Sequence, residues 1–181
     1  MLGAMLGAPL GGGAGAARAS GGSDLDVPYV TTPQSVVDAM LELAGVGRSD
    51  RLIDLGSGDG RIVITAARRW GTPGLGYEID PRLASIATGN ARRAGVDELA
   101  RFVVDDIFVA DLSSATVITM YLLPDVNLRL RPRLRALRPG TRLVSHDWDM
   151  GDWPPQRTVE VAAPDKPVGL RKASRLMLWT V

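Results

Sequence analysis

Three glycines alternate with polar residues at positions 54–60, which are Asp-Leu-Gly-Ser-Gly-Asp-Gly. Glycine lets a backbone turn tightly and approach a ligand with no Cβ in the way. An apolar run at 51–55 precedes this loop and an amphipathic run follows it, an arrangement that binds nucleotide-like ligands at the carboxyl edge of a sheet. About twenty residues later Glu78 ends another apolar run, where its carboxylate can accept hydrogen bonds from two ribose hydroxyls.

The charges of this loop distinguish between its possible ligands. A dinucleotide places a pyrophosphate on Gly-x-Gly-x-x-Gly, whereas this loop is Gly-x-Gly-x-Gly, with Asp54 at the strand end and Asp59 inside. Two carboxylates repel a pyrophosphate and attract a cation, and both the sulfonium and the α-ammonium of S-adenosylmethionine (SAM) are cationic. We therefore expect SAM as cofactor and S-adenosylhomocysteine as product. A dinucleotide or a purely structural turn is the alternative.

A second acidic pair, Asp105 and Asp106, follows the third apolar run. One of these carboxylates can accept a hydrogen bond from the adenine amino group, with Ile107 and Phe108 packing on the ring. The alternative is that Asp106 caps a helix N-terminus. Both interpretations place the pair at the same edge of the sheet.

The composition of the 181 residues excludes several kinds of chemistry. The chain has no cysteine, so disulfides, thiolate metal sites and cysteine nucleophiles are absent. His146 is the sole histidine, and we expect no metal. The net charge of +1 gives no overall attraction to nucleic acid, and we expect no DNA partner.

Residues 1–22 consist almost wholly of Gly, Ala, Leu and Met, with Arg18 as the only charged side chain. The segment is too short and too rich in glycine to span a bilayer as a helix. It resembles either the apolar part of a secretory signal, ending in Ala17-Arg18-Ala19, or a flexible tail. We predict a segment 1–25 of this kind, no stable membrane insertion, and a cytoplasmic location, or export if the segment is a truncated signal.

From residue 26 onward strands and helices alternate, which predicts one α/β domain at 26–181. We expect a Rossmann-like class I methyltransferase fold, with a mostly parallel central sheet, helices on both faces and an antiparallel edge strand at the C-terminus. Thr32 and Pro33 predict the start of the first helix, and Pro132 predicts a break or kink in the helix at 124–137. The expected strands are 51–55, 74–79, 100–104, 115–122, 141–146, 156–163 and 175–181.

Several segments together resemble the small protein-lysine methyltransferases of archaea, and are similar also to the mitochondrial methyltransferase that acts on a lysine of the ATP synthase c subunit. The narrowest of these segments are Pro-Tyr-Val-Thr-Thr-Pro at 28–33 and Ser-His at 145–146. The resemblance covers roughly residues 26–153. The other matching segments are 54–64, 77–80, 115–124, 126–127, 130–132 and 139–144.

This resemblance implies SAM-dependent N-methylation of a lysine in a protein substrate. It places Tyr29, Val30 and Thr31 over the methionine end of SAM and Tyr121 beside the transferable methyl. Thr31 departs from the pattern, because relatives often have proline there. The resemblance and the loop chemistry together give the remaining cofactor residues, which are Asp54, Gly56, Ser57, Gly58, Glu78, Ile79, Asp106 and Ile107.

An amine must lose its proton before it attacks a methyl group, because an ammonium has no lone pair. The candidates to assist follow the fourth and fifth strands: Tyr121, His146 and Asp147. His146 could instead be a structural hydrogen-bonding group, and Tyr121 a packing residue. Trp148 and Trp153 could flank an aliphatic stem or a cation, or close the core under a loop.

Other features keep rival functions open. Five arginines between positions 129 and 138 form either a solvated helix face or a surface that attracts an acidic protein or RNA. The segment after the fourth strand lacks Asn-Pro-Pro-Tyr or Asp-Pro-Pro-Tyr, which weakens the case for methylating adenine, cytosine or glutamine nitrogen. The alternatives to a protein-lysine methyltransferase are a small-molecule methyltransferase and a non-catalytic SAM-binding protein.

Overall fold

The computed structural model describes residues 30–166 and 171–181. Tyr29, the segment 1–25 and the domain boundary at residue 26 therefore lie outside the described residues. The helices are α1 (Gln34–Leu43), α2 (Arg61–Trp70), α3 (Pro81–Arg93) and α4 (Pro124–Arg135). The strands are β1 (Leu52–Leu55), β2 (Gly74–Glu78), β3 (Ala100–Val104), β4 (Val117–Met120), β5 (Arg142–His146), β6 (Arg157–Ala162) and β7 (Ala173–Thr180).

The seven strands form one sheet in the order β3-β2-β1-β4-β5-β7-β6. The pairs among β1 to β5 are parallel, whereas β7 runs antiparallel to both of its neighbours, β5 and β6. The predicted mostly parallel sheet with antiparallel pairing at its C-terminal edge is confirmed. β7 lies inside that edge, and β6 is the outermost strand.

Apolar side chains are buried on both faces of this sheet, which is why helices cover both faces. On one face α1 and α2 pack over residues such as Leu52, Val117 and Val144. On the other, α4 packs over Ile118 and Leu143 together with Trp179, whose indole N–H donates to the carbonyl of Trp153 at 2.8 Å.

Two helices differ from the sequence prediction. α1 begins at Gln34 with Pro33 as its N-cap and no side-chain cap, because Thr32 uses its polar groups in contacts outside the helix. α4 continues through Pro132 to Arg135, so of the predicted break or kink the break does not occur, and the kink stays a prediction. Burial of Leu130 and Leu134 on either side of the proline offsets the lost backbone hydrogen bond.

The strand order brings the functional segments together. β1 lies between β2 and β4, so the connections leaving β1 and β4 pass to opposite sides and open a crevice at the carboxyl ends of the strands, where ligands bind in such sheets. The loops after β1, β2, β3, β4 and β5 all reach this edge. Within the described ranges, no helix combines the length and the apolarity needed to cross a membrane.

Candidate cofactor and acceptor site

The glycine loop leaves β1 with its three glycines in the left-handed region, at φ values of 74°, 53° and 82° for Gly56, Gly58 and Gly60. The backbone N–H groups of Gly56 and Ser57 both donate to the carbonyl of Tyr77, at 2.9 and 3.0 Å. The loop is thus fastened to the end of β2. A side chain at any of the three glycines would be strained.

Glu78 joins the loop to the neighbouring strand end. Its Oε2 accepts from the backbone N–H of Gly58 at 2.8 Å, and its Oε1 accepts from that of Asp80 at 3.0 Å. The side chain is buried, so these donors hold the carboxylate at the carboxyl edge. This is the position predicted for a carboxylate that binds a ribose.

Asp54 is a nearly fully buried carboxyl beneath the loop. Thr119 Oγ1 donates to its Oδ1 at 2.7 Å. Burial raises the pKa of Asp54 to about 7, the Thr119 hydrogen bond acts in the opposite direction, and the carboxylates of Glu78 and Asp59 add to the increase. None of the described residues that shift the pKa of Asp54 is a cation. A cationic ligand would therefore stabilise the ionised carboxylate.

Ser57 contributes a second group that suits a polar ligand. Its Oγ is buried and has no hydrogen-bond partner among the described residues, and a buried unsatisfied hydroxyl is costly. Gly76 on β2 leaves space for this side chain, because a Cβ there would lie 2.6 Å from Ser57 Oγ. The orphaned hydroxyl, the carboxylates and the glycine loop together fit SAM, which carries positive charge, ribose hydroxyls and a carboxylate.

Ile79, Asp106 and Ile107, the residues predicted to contact the adenine, lie in the loops after β2 and β3. Ile79 is half exposed and Ile107 partly buried. Asp106 is exposed, and its Oδ1 accepts from the backbone N–H of Phe108 at 2.9 Å. That contact caps a turn, and no helix follows before β4, so the helix-cap alternative is wrong. The adenine role stays a prediction.

The segment that precedes α1 is attached to both halves of the site. Thr32 is buried; its carbonyl accepts from Arg61 Nη1 at 2.8 Å, and its hydroxyl lies 3.4 Å from His146 Nδ1. Arg61 also pairs with Asp59 of the glycine loop. Val30 and Thr31, which are exposed, continue from this anchor. Their predicted contact with the methionine end of SAM is untested.

Tyr121 follows β4 and stacks on His146, with ring centroids 3.9 Å apart. His146 is fully buried, and its Nε2 lies 2.8 Å from Ser174 Oγ on β7. Burial lowers the pKa of His146 to about 4, despite the nearby Asp147. Burial and Asp147 raise the pKa of Tyr121. Both side chains are therefore neutral at neutral pH.

Asp147 has a left-handed backbone, with φ of 61°. Its Oδ2 accepts from Lys166 Nζ at 2.7 Å, and its Oδ1 from the Arg175 N–H at 2.8 Å. Burial opposes ionisation of Asp147, but these hydrogen bonds outweigh it and lower its pKa. The geometry brings Tyr121, His146 and Asp147 together, with His146 and Asp147 held by structural partners.

Trp148 and Trp153 lie in different surroundings. Trp153 packs against Trp179, with ring centroids 6.1 Å apart, as the core-closing alternative expects. Trp148 is 40% exposed, and its carbonyl accepts from Asn127 and Ser145. Trp148 is thus the one of the two that remains available to a ligand.

The four arginines of α4, and Arg138 just after the helix, make contacts within the protein. Arg133 donates to the carbonyls of Ile107 and Ala110, and Arg138 to those of Ser114 and Ala115. The other three are likewise engaged: Arg129 over Phe108, Arg131 with Asp152 and Met150, and Arg135 over Trp153. They fasten the loops after β3 and β5 to α4.

Four polar residues of the site were not predicted from the sequence: Thr32 in this role, Thr119, Lys166 and Ser174. Thr119 lies in an apolar strand, and only its register opposite Asp54 shows the contact. Ser174 and Lys166 come from the C-terminal segment, which has no motif. Among residues 30–166 and 171–181, no group of three or more His, Asp or Glu side chains is arranged to hold a metal ion.

Known proteins resemble this chain over most of its length. A sequence profile of the ANTKMT methyltransferase domain matches residues 54–157. A protein-lysine N-methyltransferase of Saccharolobus islandicus (strain REY15A) is 44% identical over 137 residues, 75% of this chain and 85% of that protein. An adenine nucleotide translocase lysine N-methyltransferase of Mus musculus is 35% identical over 136 residues, 75% of this chain; the chain spans only 59% of that enzyme's length.

A solved structure is also similar. The crystal structure of an RNA methyltransferase from Salinibacter ruber, in complex with S-adenosyl-L-homocysteine, is 54% identical, with a TM-score of 0.75. The match covers 84% of this chain and 94% of that one. The predicted resemblance to lysine methyltransferases and the predicted class of fold are confirmed, while the names of these relatives disagree about the acceptor.

Proposed function

Because the chain belongs to the ANTKMT methyltransferase domain family and is a SAM-dependent methyltransferase, we propose that its acceptor is the ε-amine of a lysine in a protein. The observation that carries the proposal is the neutral acceptor end of the site. There Tyr121 stacks on a buried histidine whose pKa lies near 4, and the adjacent carboxylate of Asp147 is bound by Lys166. Such surroundings favour an uncharged nucleophile over an ammonium.

The cofactor half of the site is assigned residue by residue. Ionised Asp54 would attract the cationic end of SAM, Glu78 would accept from the ribose, and Ser57 Oγ would find a partner in the ligand. The exposed Val30 and Thr31, with Tyr29 before them, would cover the methionine end. The remaining contacts are assigned to Gly56, Gly58, Ile79, Asp106, Ile107 and Tyr121.

Bound here, SAM would supply a methyl on a sulfonium, which a neutral amine takes by in-line displacement, with S-adenosylhomocysteine as product. A free lysine has a pKa of about 10.4, so the protein must favour its neutral form. Burial of the amine against Tyr121 lowers its pKa by desolvation. The proton would go to solvent before the amine enters, and the carbon–sulfur bond of SAM would break as the carbon–nitrogen bond forms.

The three predicted catalytic residues receive different roles. Tyr121 would touch the amine, and its neutral hydroxyl can accept a hydrogen bond from the amine N–H. His146 is a positioning residue: both of its ring nitrogens face hydroxyls, so it fixes the Tyr121 ring. Asp147 is a positioning residue for the loop after β5, which it holds through Lys166 and Arg175. In this proposal His146 and Asp147 position other groups, and neither accepts the proton of the amine.

RNA is the second candidate acceptor, because the relative from Salinibacter ruber carries that description. RNA binding needs cations directed at phosphates and aromatic rings available for stacking. Here the four arginines of α4 and Arg138 just after it contact the protein itself, and Trp148 is the exposed tryptophan. These contacts favour protein as acceptor over RNA.

A labelling experiment separates the acceptors. Purified protein is incubated with methyl-labelled SAM and lysate, and the products are divided into protein, RNA and small-molecule fractions. We expect label in protein, located on lysine by mass spectrometry, and increasing with pH above neutrality as more acceptor amine loses its proton. The matched control is Gly58→Val, which places a branched side chain at a φ of 53° in the cofactor loop.

Each other result names a different function. Label in RNA that disappears after ribonuclease treatment would replace the lysine assignment with RNA methylation. Label confined to small molecules would support the small-molecule alternative. Cofactor binding without transfer to any fraction would indicate a non-catalytic SAM-binding protein. Cytoplasmic location and the absence of a DNA partner stay predictions.

A further inference from the structure

A threonine and an aspartate form a buried polar pair between glycine and valine in one row of the sheet. Asp54 on β1 is the register partner of Thr119 on β4. The same row continues through Gly76 and Phe102 on one side and Val144 on the other. Thr119 is fully buried, Asp54 is 2% exposed, and the Thr119 hydroxyl donates to Asp54 Oδ1 at 2.7 Å.

We propose that Thr119 is a positioning residue for the cofactor: its hydroxyl holds the Asp54 carboxyl in its ionised form and in the orientation that binds the cationic end of SAM. The inference rests on the proposed cofactor site. It adds a residue from the middle of β4, outside the glycine loop, to the residues that set the affinity for SAM.

The surroundings of Asp54 show why it needs such a donor. Burial disfavours its charged form, and the two other charged groups that face it, Glu78 from β2 and Asp59 from the loop, are carboxylates. Arg61 is paired with Asp59. Thr119 supplies the hydrogen bond that favours ionisation. With the pKa of Asp54 at about 7, a change in this single bond alters the ionised fraction near neutral pH.

Stability alone does not account for the pair. Replacing both partners of a buried hydrogen bond with apolar groups is often neutral or stabilising, and the immediate neighbours of the pair in this row are Gly76 and Val144. A carboxyl kept in this position at a cost points to a ligand that uses its charge. The carboxyl edge of β1, directly before the glycine loop, is where that ligand binds in this type of sheet.

The test measures the affinity for S-adenosylhomocysteine by calorimetry between pH 6 and 9, in wild type and in Thr119→Val. At each pH we take the ratio of the two dissociation constants, because titration of the ligand itself affects both constants equally and cancels. Valine matches threonine in shape but cannot donate, so more Asp54 becomes protonated. If the Asp54 pKa increases by one unit, we expect binding about fivefold weaker at pH 7 and a ratio close to one at pH 9.

The chain offers a matched control just before β4, at the opposite edge of the sheet. Thr116 Oγ1 donates to Asp50 Oδ1, also at 2.7 Å, but Asp50 precedes β1 and pairs with Arg142. Thr116→Val should leave the ratio near one at every pH. Thr119→Ser, which keeps the hydroxyl, should restore most of the affinity at pH 7. Thr119→Ala, which also lacks the hydroxyl donor, replaces Thr119→Val in the measurement if the valine variant does not fold.

The outcomes separate this inference from the proposed function. Weaker binding that recovers at high pH in the variants without a hydroxyl supports the role of Thr119. A ratio that is the same at all pH values, or unchanged affinity, would overturn it while leaving the cofactor site in place. Wild-type protein that fails to bind S-adenosylhomocysteine would overturn both.

Discussion

At the scale of single residues, Asp54 carries opposite consequences for stability and for binding. The folded chain buries its carboxyl under the glycine loop with Thr119 as its hydrogen-bond donor. A carboxyl whose pKa is raised on folding is protonated more readily in the folded than in the unfolded state. Its ionisation therefore destabilises the fold as the pH rises from the unfolded value of 3.8 toward about 7.

We predict that Asp54→Asn increases the free energy of unfolding of the ligand-free protein at pH 8, by about 1–4 kcal/mol. Asparagine is uncharged at every pH, so the difference from wild type should fall toward zero near pH 4. Urea unfolding across this range measures it. The exposed Asp97→Asn is the control.

The same variant should bind S-adenosylhomocysteine more weakly, because the amide carries no charge to attract the ligand's ammonium. Equal stability of wild type and Asp54→Asn at pH 8 would mean that ionisation of the Asp54 carboxyl does not destabilise the fold. Burial would then not raise the pKa of Asp54, this prediction would be wrong, and the affinity measurement alone would test the carboxylate as a ligand-binding group.

The residues on the cofactor side illustrate what local sequence can predict. Alternate glycines with left-handed φ values leave few choices of residue, and Glu78 stands at a fixed spacing after them, so the loop was predictable. Thr119 was not, because a threonine inside an apolar strand is common in any sheet. Its role depends on the register between β1 and β4, two strands separated by two intervening strands in the chain.

At the scale of elements, β7 serves both the sheet and the acceptor site. It separates β5 from β6 and brings Ser174 to within 2.8 Å of His146 Nε2. Tyr121, in turn, stacks on that histidine. A strand with no recognisable motif thus contacts the histidine on which Tyr121, the residue proposed to lie beside the acceptor, stacks.

We predict that Ser174→Ala lowers kcat by about tenfold while the affinity for S-adenosylhomocysteine changes by less than about twofold. The loss of one hydrogen bond of about 1–1.5 kcal/mol frees the imidazole and hence the Tyr121 ring. Steady-state kinetics and calorimetry separate the two effects. Thr158→Ala, an exposed residue of the neighbouring β6, controls for a general effect on the hairpin.

Loss of affinity in parallel with kcat would indicate that Ser174 supports the whole fold and not the acceptor side in particular. Unchanged kcat would remove the histidine from the positioning of Tyr121.

Helix ends were less predictable than helices. Thr32 and Pro33 have the sequence of a capped helix start, yet Thr32 is bound by Arg61 and lies beside His146 instead. Pro132 was expected to break or kink α4, but the helix continues, with the leucines on either side of the proline buried. In both cases contacts between distant segments outweighed the local preference.

At the scale of the whole molecule, the sheet order could be expected for this fold class, whereas the function of surface charge could not be read from composition. Five arginines within ten positions suggested a basic surface. The structure directs them to carbonyls and rings of neighbouring loops, because α4 must hold the connections after β3 and β5. A sequence alone gives the number of charges, and only the fold gives their partners.

The position of β7 between β5 and β6 has a consequence for how the chain acquires its shape. The cofactor half, β1 to β3 with α2 and α3, is built from neighbours in sequence, so its loops close early and at low entropic cost. The acceptor half stays incomplete until the last strand inserts between two that precede it. A ligand of the first half would therefore act on a partly folded chain.

We expect pulsed hydrogen exchange during refolding to show amides of β1 to β3 protected before those of β5 and β7. Added S-adenosylhomocysteine should advance the early phase alone, whereas simultaneous protection of all seven strands would mean that the two halves fold as one unit.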